Sequence, residues 1–277
     1  MNFVVANPTG LCFGVRRAIG MLEEALGRYG EVYSLGSPIH NPPEVERLVN
    51  IGLKIADCVS DVTEGSAAFI RAHGISRAER DDLNSRAGVV VDGTCPFVRI
   101  AHERAESLSK EGYRVVVLGD PEHPEVRGIL GYINGEYMVI SSEEEIGADA
   151  RYERLGILSQ TTQREATFAA AVSRLVLQSG EIKVYNTICR ATIERQESIM
   201  RMSAAVDGVI VLGGRNSANT RKLVEIAESL GVPTLWIERS DEVDWGWLSG
   251  RESIGVAAGG STPDWLIKDL TGKLKRL

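Results

Sequence analysis

Three of the four cysteines, Cys12, Cys95 and Cys189, divide the chain into stretches of similar length, with gaps of 83 and 94 residues and a tail of 88 after the last. Spacing of this kind points to one supersecondary unit used three times. Each of these cysteines stands just before a stretch with helical periodicity. Twenty-eight residues after each comes a polar residue in a strand-to-helix turn: His40, His123 and Ser217. A second polar turn follows in each unit, at Ala72-His73-Gly74, Gln160-Thr161-Thr162 and Gly259-Gly260-Ser261. Cys58 lies outside the series, and Ala56-Asp57-Cys58-Val59 has neither a glycine turn nor a helix start, which marks it as structural.

Short β-branched runs alternate with longer amphipathic ones. The pattern predicts strands at 3–6, 32–35, 68–72, 89–92, 114–119, 156–159, 208–213, 234–237 and 254–257. It predicts helices at 15–29, 44–51, 77–85, 98–110, 164–177, 192–205, 219–230 and 264–274. Such alternation calls for parallel sheets with helices on both faces. With the repeat it gives an α/β fold of three similar lobes with mostly parallel sheets around a central site. The lobes are residues 13–95, residues 96–188, and residues 1–12 with 189–277. The alternative is one large doubly wound sheet with unrelated turns. In either case ligands bind beyond the carboxyl ends of the strands.

Composition removes several classes of function. The net charge is −7 and no basic run stands out, which argues against nucleic acid and against anionic membranes. No apolar run is long enough to span a bilayer. The first residues read as a strand rather than a signal peptide, so the expected setting is the cytoplasm. Four well-separated cysteines in 277 residues are no disulfide framework. In a reducing compartment they are thiols, nucleophiles or metal ligands.

Glycines around Cys12 (Gly10-Leu11-Cys12-Phe13-Gly14) allow a tight turn, and a helix start behind a cysteine favours its thiolate. Cys95 in Gly93-Thr94-Cys95-Pro96 and Cys189 in Ile188-Cys189-Arg190-Ala191-Thr192 share that setting. A lone cysteine is more often a small core residue. Three in equivalent places suit soft-metal binding, by an iron–sulfur cluster or zinc. Structural zinc favours four ligands from closely spaced pairs, so single distant cysteines fit a cluster better. Three thiolates leave one iron of a four-iron cluster open to act as a Lewis acid.

Three of the four histidines, His40, His73 and His123, fall in predicted loops, where they can bond or protonate a phosphate; His102 falls within a helix and reads as structural. Glu125 is either a buried proton donor or an ordinary acid at a helix start. The turns Gly213-Gly214-Arg215-Asn216-Ser217-Ala218-Asn219 and Gly259-Gly260-Ser261 suit phosphate oxygens but lack Walker or Rossmann spacing. The plain alternative is helix N-capping by Ser217 and Ser261. Two rival functions stay open on these residues: a zinc hydrolase using three thiolates, and a non-catalytic redox sensor for a phosphorylated ligand.

Taken together, Gly10-Leu11-Cys12-Phe13-Gly14-Val15, Ile39-His40-Asn41-Pro42, Ala72-His73-Gly74, Gly93-Thr94-Cys95-Pro96, His123-Pro124-Glu125-Val126, Gln160-Thr161-Thr162, Ile188-Cys189-Arg190-Ala191-Thr192 and Asn216-Ser217-Ala218-Asn219-Thr220 resemble one family over nearly the whole chain. It is the LytB/IspH family of 4-hydroxy-3-methylbut-2-enyl diphosphate reductases. The resemblance implies an iron–sulfur oxidoreductase at the last step of the non-mevalonate isoprenoid pathway. It implies one [4Fe-4S] cluster held by Cys12, Cys95 and Cys189, with one open iron that takes the substrate hydroxyl. It implies a small-molecule diphosphate bound by His40, His73, His123, Thr161, Ser217, Ala218, Asn219 and Ser261. Glu125 is implied as the proton-delivering acid, with Thr161 and His123 beside it. Some members carry serine where Ala218 stands, so a backbone amide there takes over one contact. The electron donor implied is a ferredoxin or flavodoxin. The chain stops soon after its last predicted helix, so terminal extensions seen in some relatives are expected to be missing.

Overall fold

The computed structural model describes residues 2–276; the outermost residues of the expected third lobe, 1 and 277, lie outside the described residues. In chain order, β1 (Asn2–Val5) leads into α1 (Phe13–Tyr29), then β2 (Val32–Leu35), α2 (Pro42–Val49), β3 (Leu53–Ala56), β4 (Ala67–Ile70), α3 (Arg77–Arg86) and β5 (Val89–Asp92). Next come α4 (Pro96–Lys110), β6 (Arg114–Leu118), α5 (Pro124–Leu130), β7 (Tyr137–Ile140), β8 (Tyr152–Ser159), α6 (Glu165–Val176) and β9 (Ser179–Val184). The last part holds α7 (Arg190–Ser203), β10 (Gly208–Leu212), α8 (Ala218–Ser229), β11 (Thr234–Ile237), β12 (Ser253–Ala258) and α9 (Asp264–Leu274).

These strands form three four-stranded sheets, ordered β3-β2-β4-β5, β7-β6-β8-β9 and β11-β10-β12-β1, and every pairing is parallel. The order is the same in all three. In each, the first strand in the series lies between the second and third, and the fourth takes the edge beside the third. In the last sheet the N-terminal β1 fills that edge place. The fold is therefore three α/β lobes of parallel sheet, not one doubly wound sheet. Each order reverses beside its first strand, and that switch point is where parallel sheets open a crevice at their carboxyl ends.

By compactness the chain divides into two units. One comprises the residues up to Arg16, Ile39–Ile51 and everything from Arg190; the other comprises Arg17–Pro38 and Gly52–Cys189. The first unit holds the β11-β10-β12-β1 sheet. Alternating residues of β10 serve its two faces, as a pleated strand requires. Ile210 and Leu212 join Leu266, Leu270 and Leu274 of α9, while Val209 and Val211 join Ile199 of α7 and Leu223 and Ala227 of α8. All five residues of β10 are buried, which is why it reads as a continuous apolar run. Each such Val, Ile or Leu contributes roughly 1.5–3 kcal/mol by leaving water. In the second unit, Val115, Val117 and Leu158 pack under Ala101, Ala105 and Leu108 of α4 and Val126 and Ile129 of α5.

All nine expected strands are present, those at 32–35, 89–92 and 234–237 with the expected bounds and the other six with shifted ends; β3, β7 and β9 are additional. All three are edge strands, with alternations such as Leu53-Lys54-Ile55-Ala56 and Ser179-Gly180-Glu181 that leave much of their surface exposed. The short helix α5 is also additional, since Pro124 and Gly128 break its helical signal. Among the described residues, no helix is long and apolar enough to cross a membrane.

Candidate active site

In each lobe, chemically capable residues follow the carboxyl ends of the same strands. His40, His123 and Ser217 lie in the segments after the first strands β2, β6 and β10. His73, Thr161 and Ser261 lie in the turns after the third strands β4, β8 and β12. The three cysteines follow the fourth strands β5, β9 and β1. A shared main-chain bond marks the equivalence. Cys12 N–H donates to Gly260 O at 3.0 Å, Cys95 N–H to Ala72 O at 3.0 Å, and Cys189 N–H to Thr161 O at 3.0 Å. Thus each cysteine is tied to the turn after the neighbouring third strand. Each is half-buried, and α1, α4 and α7 begin at the next residue.

The turn before Cys12 needs Gly10. Its φ is +76°, and an added Cβ would come within 2.7 Å of Ile267 Cδ1 and 3.3 Å of Thr262 O. Next to Cys12, a Cβ on Gly260 would stand 3.8 Å from Cys12 Sγ and 3.4 Å from Asn219 Nδ2. That amide nitrogen is buried with no hydrogen-bond partner. Ser217 caps α8 by accepting from Thr220 N–H at 3.3 Å, as the plain reading of that serine expects. Ser261 does not cap: Pro263 holds the N-cap of α9. The Ser261 hydroxyl lies 3.1 Å from Ser217 Oγ and 3.2 Å from His40 O. So His40, Ser217, Asn219 and Ser261 gather around one turn cluster in the first unit. Ala218 opens α8, where first-turn amides lack intrahelical acceptors.

In the second unit, the His73 and His123 rings meet edge to face, with centroids 5.5 Å apart. His123 is the N-cap of α5, and its Nδ1 accepts from Glu125 N–H at 3.1 Å. Glu125 is 2% exposed. Its carboxylate accepts from Thr161 N–H at 2.6 Å and from Thr161 Oγ1 at 3.0 Å. Burial pushes this carboxyl up to about 7, and the two Thr161 bonds offset only part of that rise. Glu125 is therefore both a helix-start acid and a buried group poised to hold a proton near neutrality.

That shift has a stability consequence. Between about 4.5, the ordinary value, and about 7, the folded chain holds a proton that the unfolded chain has released. Stability therefore falls as pH rises across this window, by about 3 kcal/mol when complete. Glu125→Gln is expected to unfold at higher urea than the parent at pH 8, with the difference vanishing near pH 4. An equal gap at both pH values would remove the buried carboxyl as its cause.

His102 lies on α4 and is structural, as its helical position implies. It is 2% exposed, stacks on Tyr132 at 4.4 Å, and closes against Gly74, where an added Cβ would come within 2.6 Å of its ring. Burial, aided by Arg80, lowers its pKa to about 4. The folded chain thus loses stability as pH falls from about 6.5 through 4. His102→Gln is expected to flatten this acid limb in a urea series; an unchanged slope would mean that another group dominates it.

Cys58 is also structural. It caps a 3-10 turn, with Asp61 accepting from its N–H and thiol. In the other lobes Glu145 accepts from Ser141 N–H and Glu242 from Arg239 N–H in comparable turns. Sequence reasoning did not single out two supports. Gln160 Oε1 accepts from Asp120 N–H at 3.2 Å and ties together the two central turns of its lobe. Glu44 accepts from Trp265 Nε1 at 2.8 Å and fixes the helix after His40. Gln160 could have been suspected from its place beside Thr161; the Glu44 pair spans 221 residues and leaves no local signal.

The family described as LytB protein matches residues 3–275. A 4-hydroxy-3-methylbut-2-enyl diphosphate reductase of Aquifex aeolicus is 41% identical, covering 100% of this chain and 97% of its own length. One from Geobacter sulfurreducens is 42% identical over 99% of this chain and 97% of its own. Among solved structures, an (E)-4-hydroxy-3-methyl-but-2-enyl diphosphate reductase, described as the terminal enzyme of the non-mevalonate pathway, matches with a TM-score of 0.73 at 40% identity, covering 100% of both chains. The corresponding reductase of Plasmodium falciparum matches with a TM-score of 0.90 at 25% identity, over 99% of this chain and 88% of that one. With a family match over residues 3–275 and relatives 41% and 42% identical over essentially the whole chain, the chain belongs to the LytB family.

Proposed function

We propose that this protein reduces (E)-4-hydroxy-3-methylbut-2-enyl diphosphate to isopentenyl and dimethylallyl diphosphate, the last step of the non-mevalonate isoprenoid pathway. The observation that carries the reading is the buried Glu125–Thr161 pair in a chain whose three cysteines occupy equivalent places in three lobes. The reaction consumes two electrons and two protons: the allylic C–O bond breaks, a C–H bond forms, and water leaves.

Cys12, Cys95 and Cys189 are the ligands in this reading, each following the fourth strand of a different sheet, with lobe boundaries at 13–95, 96–188 and 1–12 with 189–277. Their soft thiol donors at helix starts fit an iron–sulfur group. The buried, unpartnered Asn219 amide, which with Cys12 flanks Gly260, fits a bound group there. A [4Fe-4S] cluster with three cysteine ligands supplies electrons and one Lewis-acid iron.

The chain's own residues do the rest. Ser217, Asn219, Ser261 and the α8 amides offer neutral donors to the diphosphate, and His40, His73 and His123 are its further candidate contacts in this reading. Glu125 holds a proton that it delivers to the departing hydroxyl, and Thr161 orients it. His123 fixes the Glu125 main chain through its Nδ1. Ala218 contributes its amide in place of a hydroxyl. A small ferredoxin or flavodoxin supplies the electrons, in the cytoplasm.

The test is an anaerobic assay of the cluster-loaded protein with the synthetic substrate and a strong reductant. Both five-carbon diphosphates are expected as products. A fully loaded protein that binds the substrate but consumes none is a sensor, and the reading fails.

A further inference from the structure

In each lobe the first and third strands end side by side at the switch point. Carrying their register past the strand ends pairs Gly36 with Arg71, Gly119 with Gln160 and Gly213 with Gly259. The three glycines are equivalent: each donates its N–H at 2.8 Å to the last residue of the second strand, Ala56, Ile140 and Ile237. Their partners across the crevice differ. Gly259 has no side chain. Gln160 is neutral, and its Oε1 accepts from Asp120 N–H. Arg71 is charged, and its guanidinium lies against Gly36, where an added Cβ would come within 2.9 Å of Cζ and 3.3 Å of Nη2.

Nothing in the chain satisfies that charge. Arg71 Nε is buried with no hydrogen-bond partner, and among the described residues Arg71 forms no ion pair. Its electrostatic neighbours are Glu79 and Arg127. Glu79 is spent on the capping box of α3, where it accepts from Ser76 N–H at 2.8 Å and Ser76 Oγ at 2.6 Å, and Arg127 is paired with Glu122. Burial pushes the guanidinium below its ordinary pKa, and a guanidinium still stays charged at neutral pH. A charge withdrawn from water without a partner is costly. The residue is half-buried, so it is not sealed from solvent. Its five donors and no acceptor suit an anion, and the fork matches phosphate oxygens. The same turn, closed by Gly74 N–H to Arg71 O at 3.0 Å, carries His73, a second group that can bond a phosphate.

We propose that Arg71 is the anion receptor of the first lobe's crevice and binds a phosphate-class oxyanion beside Gly36. The source of that oxyanion is either the diphosphate of the substrate or a separate phosphate-class ion in solution.

The probe is inorganic pyrophosphate, titrated calorimetrically into the cluster-loaded chain. Arg71→Gln is expected to weaken binding about tenfold or more, and Arg71→Lys by less, since a point charge replaces a fork. Unchanged affinity and stoichiometry in Arg71→Gln overturn the proposal. Urea unfolding in phosphate-free buffer separates binding from a structural role. With no partner to lose, Arg71→Gln is expected to unfold at no lower urea than the parent. Added pyrophosphate is expected to raise the parent's midpoint by more than the variant's. A variant that unfolds earlier, or fails to fold, makes Arg71 structural and overturns the proposal as well. Kinetics then decides the source. Pyrophosphate that competes with substrate, together with a tenfold rise in KM at unchanged kcat in Arg71→Gln, assigns the oxyanion to the substrate; that arm alone rests on the reductase reading. Pyrophosphate that binds alongside the substrate assigns it to a separate ion. A chain without turnover whose pyrophosphate binding still depends on Arg71 refutes the reductase reading and retains this one.

Discussion

Glu125→Gln is expected to lower the turnover number by 10²–10⁴-fold while leaving iron and sulfide content at the parental level. The range is that of a positioned general acid. The substitution is nearly isosteric, and a glutamine oxygen can still accept from Thr161 N–H, so the fold has no reason to change. What disappears is a proton held near pH 7 by burial. Thr161→Val tests the same unit from the other side. It removes the hydroxyl bond of 3.0 Å, which favours the carboxylate, but keeps the main-chain bond of 2.6 Å, so a smaller loss is expected, with the alkaline limb of turnover moved to higher pH. Steady-state kinetics under anaerobic conditions reads both. Full activity in Glu125→Gln would take the proton-donor role away from this residue.

Replacing any one of Cys12, Cys95 and Cys189 with serine is expected to abolish turnover and to strip most of the bound iron. The reason is the shared geometry: each thiol follows the fourth strand of its lobe and has its N–H tied to the turn after the third. None of the three has a role that another cysteine could assume, since Cys58 is exposed and engaged with Ser60 and Asp61. Cys58→Ser therefore serves as the control and is expected to leave iron content and turnover unchanged. Parental iron in any of the three variants would remove that cysteine from the ligand set.

Much of this is legible in the sequence, because the repeat leaves marks at fixed distances. Buried central strands such as β10 are continuous apolar runs, and turns that carry chemistry hold glycine, histidine or serine against that background. The edge strands β3 and β9 are silent for the opposite reason: half-exposed strands carry lysine, glutamate and glycine, as loops do, whereas β7, Tyr137-Met138-Val139-Ile140, is a strand-like apolar run that sequence reasoning missed. The helix α5 was hidden by its length and by Pro124, although proline is at home in a first turn. Ser261 shows the limit most clearly. Its sequence setting fits a helix cap as well as a ligand contact, and only the placement of His40 O and Ser217 Oγ separates the two. Likewise, the burial of Glu125 depends on packing between α5 and the end of β8, which no local pattern encodes.

The most direct test is the metal and acid-labile sulfide content of the purified chain, taken anaerobically after reconstitution. About four iron and four sulfide per chain are predicted, with no stoichiometric zinc. Zinc without sulfide, bound through the same three cysteines, would contradict the account at its root.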